Sequence, residues 1–359
     1  MANFLLLLLL LLLFSLWLPA LPSPAATAAS GRIPALIVFG DSTVDAGNNN
    51  GIKTVLKSDF RPYGRDFPGG KPTGRFCNGR LATDFIAEAL GLGATVPAYL
   101  DPARSIRDFA TAVCFASAGT GLDNATSDVL NVIPFWKELR YFRQYRRRLR
   151  QYLGAAAALR TIREALYIVS IGTNDFLENY FLLVTGRFKE FSVGEFEDFL
   201  VGIAGEFLTA IYRLGARKVM FTGLSPIGCL PLERTANLLR GGGCVEEYNA
   251  VAREFNGKID AMVAELRAAL PEFRLSVNGV YDLLLDMIEN PSRYGFENVN
   301  EGCCGTGRFE MSYLCNDLNP HTCEDANKYV FWDAFHPTQK VNYLIAQHLF
   351  NATLVEFLK

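Results

Sequence analysis

Histidine is scarce in this chain of 359 residues: only His321, His336 and His348 occur. Chemistry that needs an imidazole base must use one of these three. Charge of one sign is also lacking, since the formal balance is -2, so there is no electrostatic reason to expect nucleic acid. No CxxC spacing occurs among the eight cysteines, and the adjacent Cys303 and Cys304 could not both face one metal comfortably. Structural disulfides are therefore favoured over a zinc site. A linker, a low-complexity tract and an internal repeat are absent too, and residues 30–359 read as one domain. The 50% hydrophobic and 12% aromatic content is ample for its core.

Long apolar runs are confined to the start, where FLLLLLLLLLFSLWL spans residues 4–18 and gives way to Pro19 and the small residues PSPAATAAS. That is the outline of a secretory signal peptide, residues 1–29, with cleavage expected after Ala28 or Ala29. Its first residues depart from the pattern in having no Lys or Arg. A retained anchor would need about 20 apolar residues, and no second run is long enough to span a membrane once the leader is removed. The expectation is a secreted, extracellular protein of the apoplast or cell wall. Cysteines are then expected to be mostly paired. Cys303, Cys304, Cys315 and Cys323 crowd one segment, Cys229 and Cys244 bracket another, and Cys77 and Cys114 stand alone. Spacing leaves the connectivity open. Asn124-Ala-Thr and Asn351-Ala-Thr fit the N-glycosylation pattern.

Five short β-rich runs recur between helical patterns: 35–41, 111–117, 165–172, 218–224 and 273–281. Such alternation predicts a parallel sheet covered on both faces. One helical pattern runs from Phe196 to Leu214 with Gly215 as its stop, and another from Val245 to Leu270. The run Arg146, Arg147 and Arg148 falls in a third, where Phe135, Leu139, Phe142, Leu149 and Leu153 keep helical spacing, so a solvated arginine face is favoured over a basic binding patch.

Ligands of parallel sheets sit beyond the carboxyl ends of the strands. The segments there are GDS, AGTG, GTND, SPIG and YD, in strand order. GDS supplies Ser42, a weak nucleophile that needs a base and a group to orient that base. Among the histidines, His321 lies in the cysteine-rich loop and His348 on the expected packing face of the last helix. Only His336 has an acid one turn away, Asp333 in WDAFHP. Pro337 suits the first position of the last helix and would put His336 just ahead of it. An ester oxyanion needs fixed donors: candidates are the backbone amides of Ser42 and Gly119 and the side-chain amide of Asn174.

GDSTVDAGNNN, GRFCNGR, CFASAGTG, SIGTNDF, EGCCGTG and YVFWDAFHPT, in this order, resemble the plant GDSL esterase/lipases of the SGNH hydrolase superfamily over residues 33–355. The resemblance implies a flavodoxin-like three-layer α/β/α fold with a five-stranded parallel sheet. It implies Ser42 as nucleophile, His336 and Asp333 as base and orienter, and Gly119 and Asn174 completing the oxyanion hole. No cofactor, metal or protein partner is expected; the partner is a small-molecule or polymeric ester. Two departures stand out: Thr43 replaces the Leu of GDSL, and Ala118 replaces the first of the usual glycine pair. A slip of one residue would move the oxyanion donor to Ala118 or Thr120.

The leading reading is a secreted carboxylic ester hydrolase acting on acyl esters, of lipids first, through an acyl-enzyme on Ser42. Acyl transfer to an alcohol, as in cutin-type polyester synthesis, or deacetylation of cell-wall polysaccharide would use the same site. A non-catalytic binding protein on this scaffold is the reading of another class. Phe176, Leu177, Tyr180, Phe181 and Leu182 are either acyl-pocket lining or a packed helix.

Overall fold

Apolar runs buried on both faces become the strands, and the stretches of helical period between them become the layers that cover the sheet. The computed structural model describes residues 33–182, 185–318 and 321–358; the expected leader lies outside them. In chain order the main elements are β1 (Leu36–Gly40), α1 (Ala82–Ala89), β2 (Ala112–Cys114), α2 (Phe135–Leu153), α3 (Ala155–Glu164), β3 (Leu166–Ser170), α4 (Val193–Arg213), β4 (Lys218–Thr222), α5 (Glu246–Ala269), β5 (Arg274–Asn278), α6 (Val280–Glu289), β6 (Asn298–Gly302), β7 (Tyr329–Phe331) and α7 (Gln339–Leu349).

Strands β1 to β5 form one parallel sheet in the order β2-β1-β3-β4-β5, the flavodoxin-like order in which the chain reverses direction at β1 and β3. Alternate residues serve opposite layers. Phe39 packs on Phe142 of α2 and Phe207 of α4, whereas Ile168 and Ser170 face a second layer that includes α1, α6 and α7. The three-layer α/β/α expectation is met.

The expected second strand, 111–117, shortens to three residues because β2 is an edge. Phe115 and Ser117 still donate to Val38 and Gly40. On the open side, the Pro97–Tyr99 segment pairs with Cys114 through the backbone, and Asn48 Nδ2 donates to the carbonyls of Cys114 and Ala116 at 3.0 and 2.7 Å, so a short bridge and a side chain close the edge. Helix α4 starts in a capping box of Ser192 and Glu195, and Gly215 beyond its end takes φ +112°. Disulfides join Cys229 to Cys244, Cys303 to Cys323 and Cys304 to Cys315, while Cys77 and Cys114 are free and buried.

Helix α2 keeps Arg147 and Arg148 exposed, as its periodicity predicts, but its buried stripe includes an acid, Glu138. The carboxylate accepts the N–H of Gly40 through Oε2 at 3.0 Å and leaves Oε1 without a partner among the described residues. Burial holds its pKa well above the usual carboxylate range. A folded-state value raised above the unfolded one costs stability progressively as pH climbs from the unfolded value. Glu138→Gln keeps the acceptor and removes the proton. Its melting temperature should match wild type near pH 4 and exceed it by a widening margin toward pH 8; a variant less stable than wild type at pH 8 would contradict this.

Candidate active site

β1 ends at Gly40, whose φ is +136° and where a Cβ would stand 1.8 Å from the carbonyl oxygen of Ser170. Only glycine lets β1 lie this close to the end of β3. The chain then turns: Val44 and Asp45 donate to the Asp41 carbonyl at 3.2 and 3.0 Å, making one helical turn with Ser42 in it. Asp41 Oδ1 accepts the backbone N–H and the hydroxyl of Thr43 at 2.9 and 2.6 Å. Burial raises the pKa of Asp41 to about 6, with the charge of His336 among the influences that pull the other way.

The residues after the turn are a clamp. Asp45 accepts from Gly47 and Asn48 and, across the site, from Ala118 N at 3.0 Å. Asn49 Nδ2 donates to the carbonyls of Leu56 and Ala118. The short acids and amides of VDAGNNN therefore fasten the AGTG loop to the Ser42 turn, a role the sequence reading missed although the run of three asparagines was its signal.

This clamp discriminates among the possible oxyanion donors. Ala118 N is taken by Asp45, and Thr120 N by the Ser117 carbonyl at 3.1 Å. Gly119, at φ +82°, and Ser42 are buried, and among the described residues neither backbone N–H has a hydrogen-bond partner. Buried N–H groups without partners are rare in folded chains. Asn174, buried beyond β3, donates through Nδ2 to the Thr120 carbonyl at 2.9 Å, which uses one of its two N–H groups. Parallel pairing of Gly40 with Ser170 sets the Ser42 and Asn174 loops side by side.

Asp333 and His336 occupy a tight loop between Phe331 and Pro337, which form an antiparallel bridge. Trp332 N donates to the His336 carbonyl at 2.7 Å, and Cys303 and Cys304 donate to Phe331 and Trp332. The two adjacent disulfides thus hold the strand beside the loop, and loops of 20 and 11 residues would each be worth about 3 kcal/mol on chain-entropy grounds. Pro337 is not the first residue of the last helix, as expected: α7 begins at Gln339 with Thr338 as its N-cap, because Pro337 is held in the bridge to Phe331.

His336 Nδ1 lies 2.8 Å from Asp333 Oδ2 and 2.9 Å from Oδ1, and Oδ1 also accepts the N–H groups of Phe335 and His336. A further partner was not foreseen. Tyr63, fully buried, donates its hydroxyl to Asp333 Oδ2 at 2.7 Å and accepts from Ser312 N at 2.8 Å. Nothing near Tyr63 in sequence hints at a partner 270 residues away. The ring of Phe76 covers that of His336, with 4.8 Å between centroids. On the far side of the imidazole, Nε2 is buried without a partner among the described residues.

Asp333 and His336 are therefore in contact, and the Ser42, Gly119 and Asn174 segments are tied to one another. No hydrogen bond joins Ser42 to His336 among the described residues, and such bonds are often long before substrate binds. His321 is exposed and His348 half-buried beside the Val341, Ile345 and Leu349 stripe. Phe176 packs on Phe196 and Phe255, and Phe181 stacks on Tyr248, so this cluster is a packed helix, with Leu182 exposed.

The family model described as GDSL-like lipase/acylhydrolase matches residues 36–349. Three GDSL esterase/lipases of Arabidopsis thaliana are 59%, 57% and 56% identical over 91%, 90% and 92% of this chain, covering 93%, 92% and 94% of their own lengths. The strand order, the loops beyond β1 and β3 and these matches lead to one assignment: the chain belongs to the family of GDSL-like lipases and acylhydrolases, which are ester-bond hydrolases.

Proposed function

We propose that the protein is a secreted serine hydrolase that cleaves acyl esters, of lipids first, through an acyl-enzyme on Ser42. The observation that carries the reading is a set of buried polar groups without partners among the described residues: the backbone N–H of Ser42 and of Gly119, and Nε2 of His336. Each is a group that attack on an ester would engage. Ser42 Oγ bonds to the carbonyl carbon while its proton passes to His336 Nε2, and Asp333 holds the imidazole with its other N–H turned away. The oxyanion meets the amides of Ser42 and Gly119 and the remaining N–H of Asn174. His336 returns the proton to the departing alkoxide. Water then attacks the acyl-enzyme, giving its proton to His336, and the acid leaves as the serine regains its hydrogen.

Secretion is supported by the apolar leader and by three disulfides, which persist in oxidising compartments. Asn124 and Asn351 are exposed, as glycan acceptors must be. The decisive experiment is labelling with a fluorophosphonate probe followed by peptide mapping. The expected adduct is on Ser42 and ester hydrolysis stops with labelling; an unlabelled, fully folded protein would instead favour a binding module.

A further inference from the structure

Between the sheet and the helices α1, α6 and α7 lies a cavity of about 100 Å³. It is lined by Thr43, the residue after Ser42, and by Phe335 and Pro337, the residues on either side of His336. Ile86 of α1 and Ile345 and Leu349 of α7 line it from the helices. Among the described residues, no charged residue lines it. Four polar side chains in its wall are bonded: the hydroxyls of Thr43 and Ser170 to each other at 2.9 Å, Thr222 accepting from Asn278, and Asn342 accepting from Ala82 N and donating to the Thr338 carbonyl; Thr83, Thr173 and Ser225 add three further hydroxyls. Most of the wall is hydrocarbon, from residues such as Ile86, Ile168, Leu284, Phe335, Ile345 and Leu349, and apolar walls accept hydrocarbon guests.

The departure from the GDSL signature falls here. A leucine at position 43 would carry one more heavy atom than threonine and would lack the hydroxyl that holds Thr43 to Asp41 and Ser170. It would fill part of the space that threonine leaves.

We propose that this cavity takes the end of a linear acyl chain whose ester carbonyl stands at Ser42, so that the enzyme selects its acid by chain length. The proposal rests on the ester-hydrolase reading above and adds the acyl subsite. At roughly 30 Å³ per carbon, the size of a water's share of liquid volume, the space holds about three methylenes. Each one buried should raise kcat/KM about fourfold until the cavity is full.

The test compares p-nitrophenyl acetate, butyrate, hexanoate and laurate on the full mature chain. Wild type should gain steeply from acetate to hexanoate and then level or fall. Ile345→Phe, which fills part of the cavity, should keep acetate turnover within about twofold and lose roughly tenfold on hexanoate. Ile86→Ala, which enlarges the cavity, should move the optimum to longer chains. A flat wild-type profile, or variants that change acetate and hexanoate by the same factor, would make the cavity a packing void only and overturn the proposal. A variant that fails to fold leaves the wild-type profile and the opposite-sense variant to decide. Absence of any Ser42-dependent acetate hydrolysis would instead defeat the parent reading.

Discussion

Ser42→Ala is expected to lower kcat on p-nitrophenyl acetate by roughly 10⁴ to 10⁶-fold while leaving the melting temperature within a few degrees of wild type. The substitution removes one oxygen from a short helical turn whose backbone bonds run from Val44 and Asp45 to Asp41 and do not involve the serine side chain. The residual rate would come from the oxyanion donors and from substrate binding, which Ser42→Ala leaves in place. Labelling by a fluorophosphonate should vanish with the activity. Retention of more than about a hundredth of wild-type kcat would remove Ser42 from the mechanism.

Asp333→Asn is expected to cost about 10⁴-fold in kcat with little change in KM. Asp333 accepts from four groups through five contacts: the N–H groups of Phe335 and His336, the His336 ring nitrogen at both oxygens, and the Tyr63 hydroxyl. An asparagine presents an NH₂ at one of the two oxygen positions. If it faces the ring, Nδ1 must accept, the ring proton moves to Nε2, and His336 can no longer take a proton from serine. If it is flipped, it confronts backbone donors instead. Tyr63→Phe separates positioning from packing, because the ring stays among Phe60, Phe76 and Trp332 while the hydroxyl is lost. A drop in kcat of about tenfold with KM unchanged is the expected result. A kcat within about twofold of wild type would make Tyr63 a structural residue only.

Much of the fold was legible because buried parallel strands read as continuous apolar runs and their covering helices keep a 3.6 period. The five strand positions and the α4 helix with its glycine stop follow from that alone. The boundary of β2 did not, because an edge strand depends on what lies beside it, here the Pro97–Tyr99 segment and Asn48. Nor did Glu138, a polar residue in an apolar stripe whose burial depends on the N–H of Gly40 in another element. In the candidate site, elimination among three histidines singled out His336, and the one-turn spacing supplied Asp333.

By itself, then, the sequence determined the alternation of strands and helices, the serine beyond the first strand and the pairing of Asp333 with His336, since each rests on local spacing that the chain carries with it. Tertiary structure alone decided which amides face the site without partners, that Tyr63 backs Asp333, and that an apolar cavity lies under Thr43. Those depend on contacts between residues tens to hundreds of positions apart, and no periodicity records them. A hydrogen-bond donor becomes available only when every neighbour in space, rather than in sequence, has found another partner.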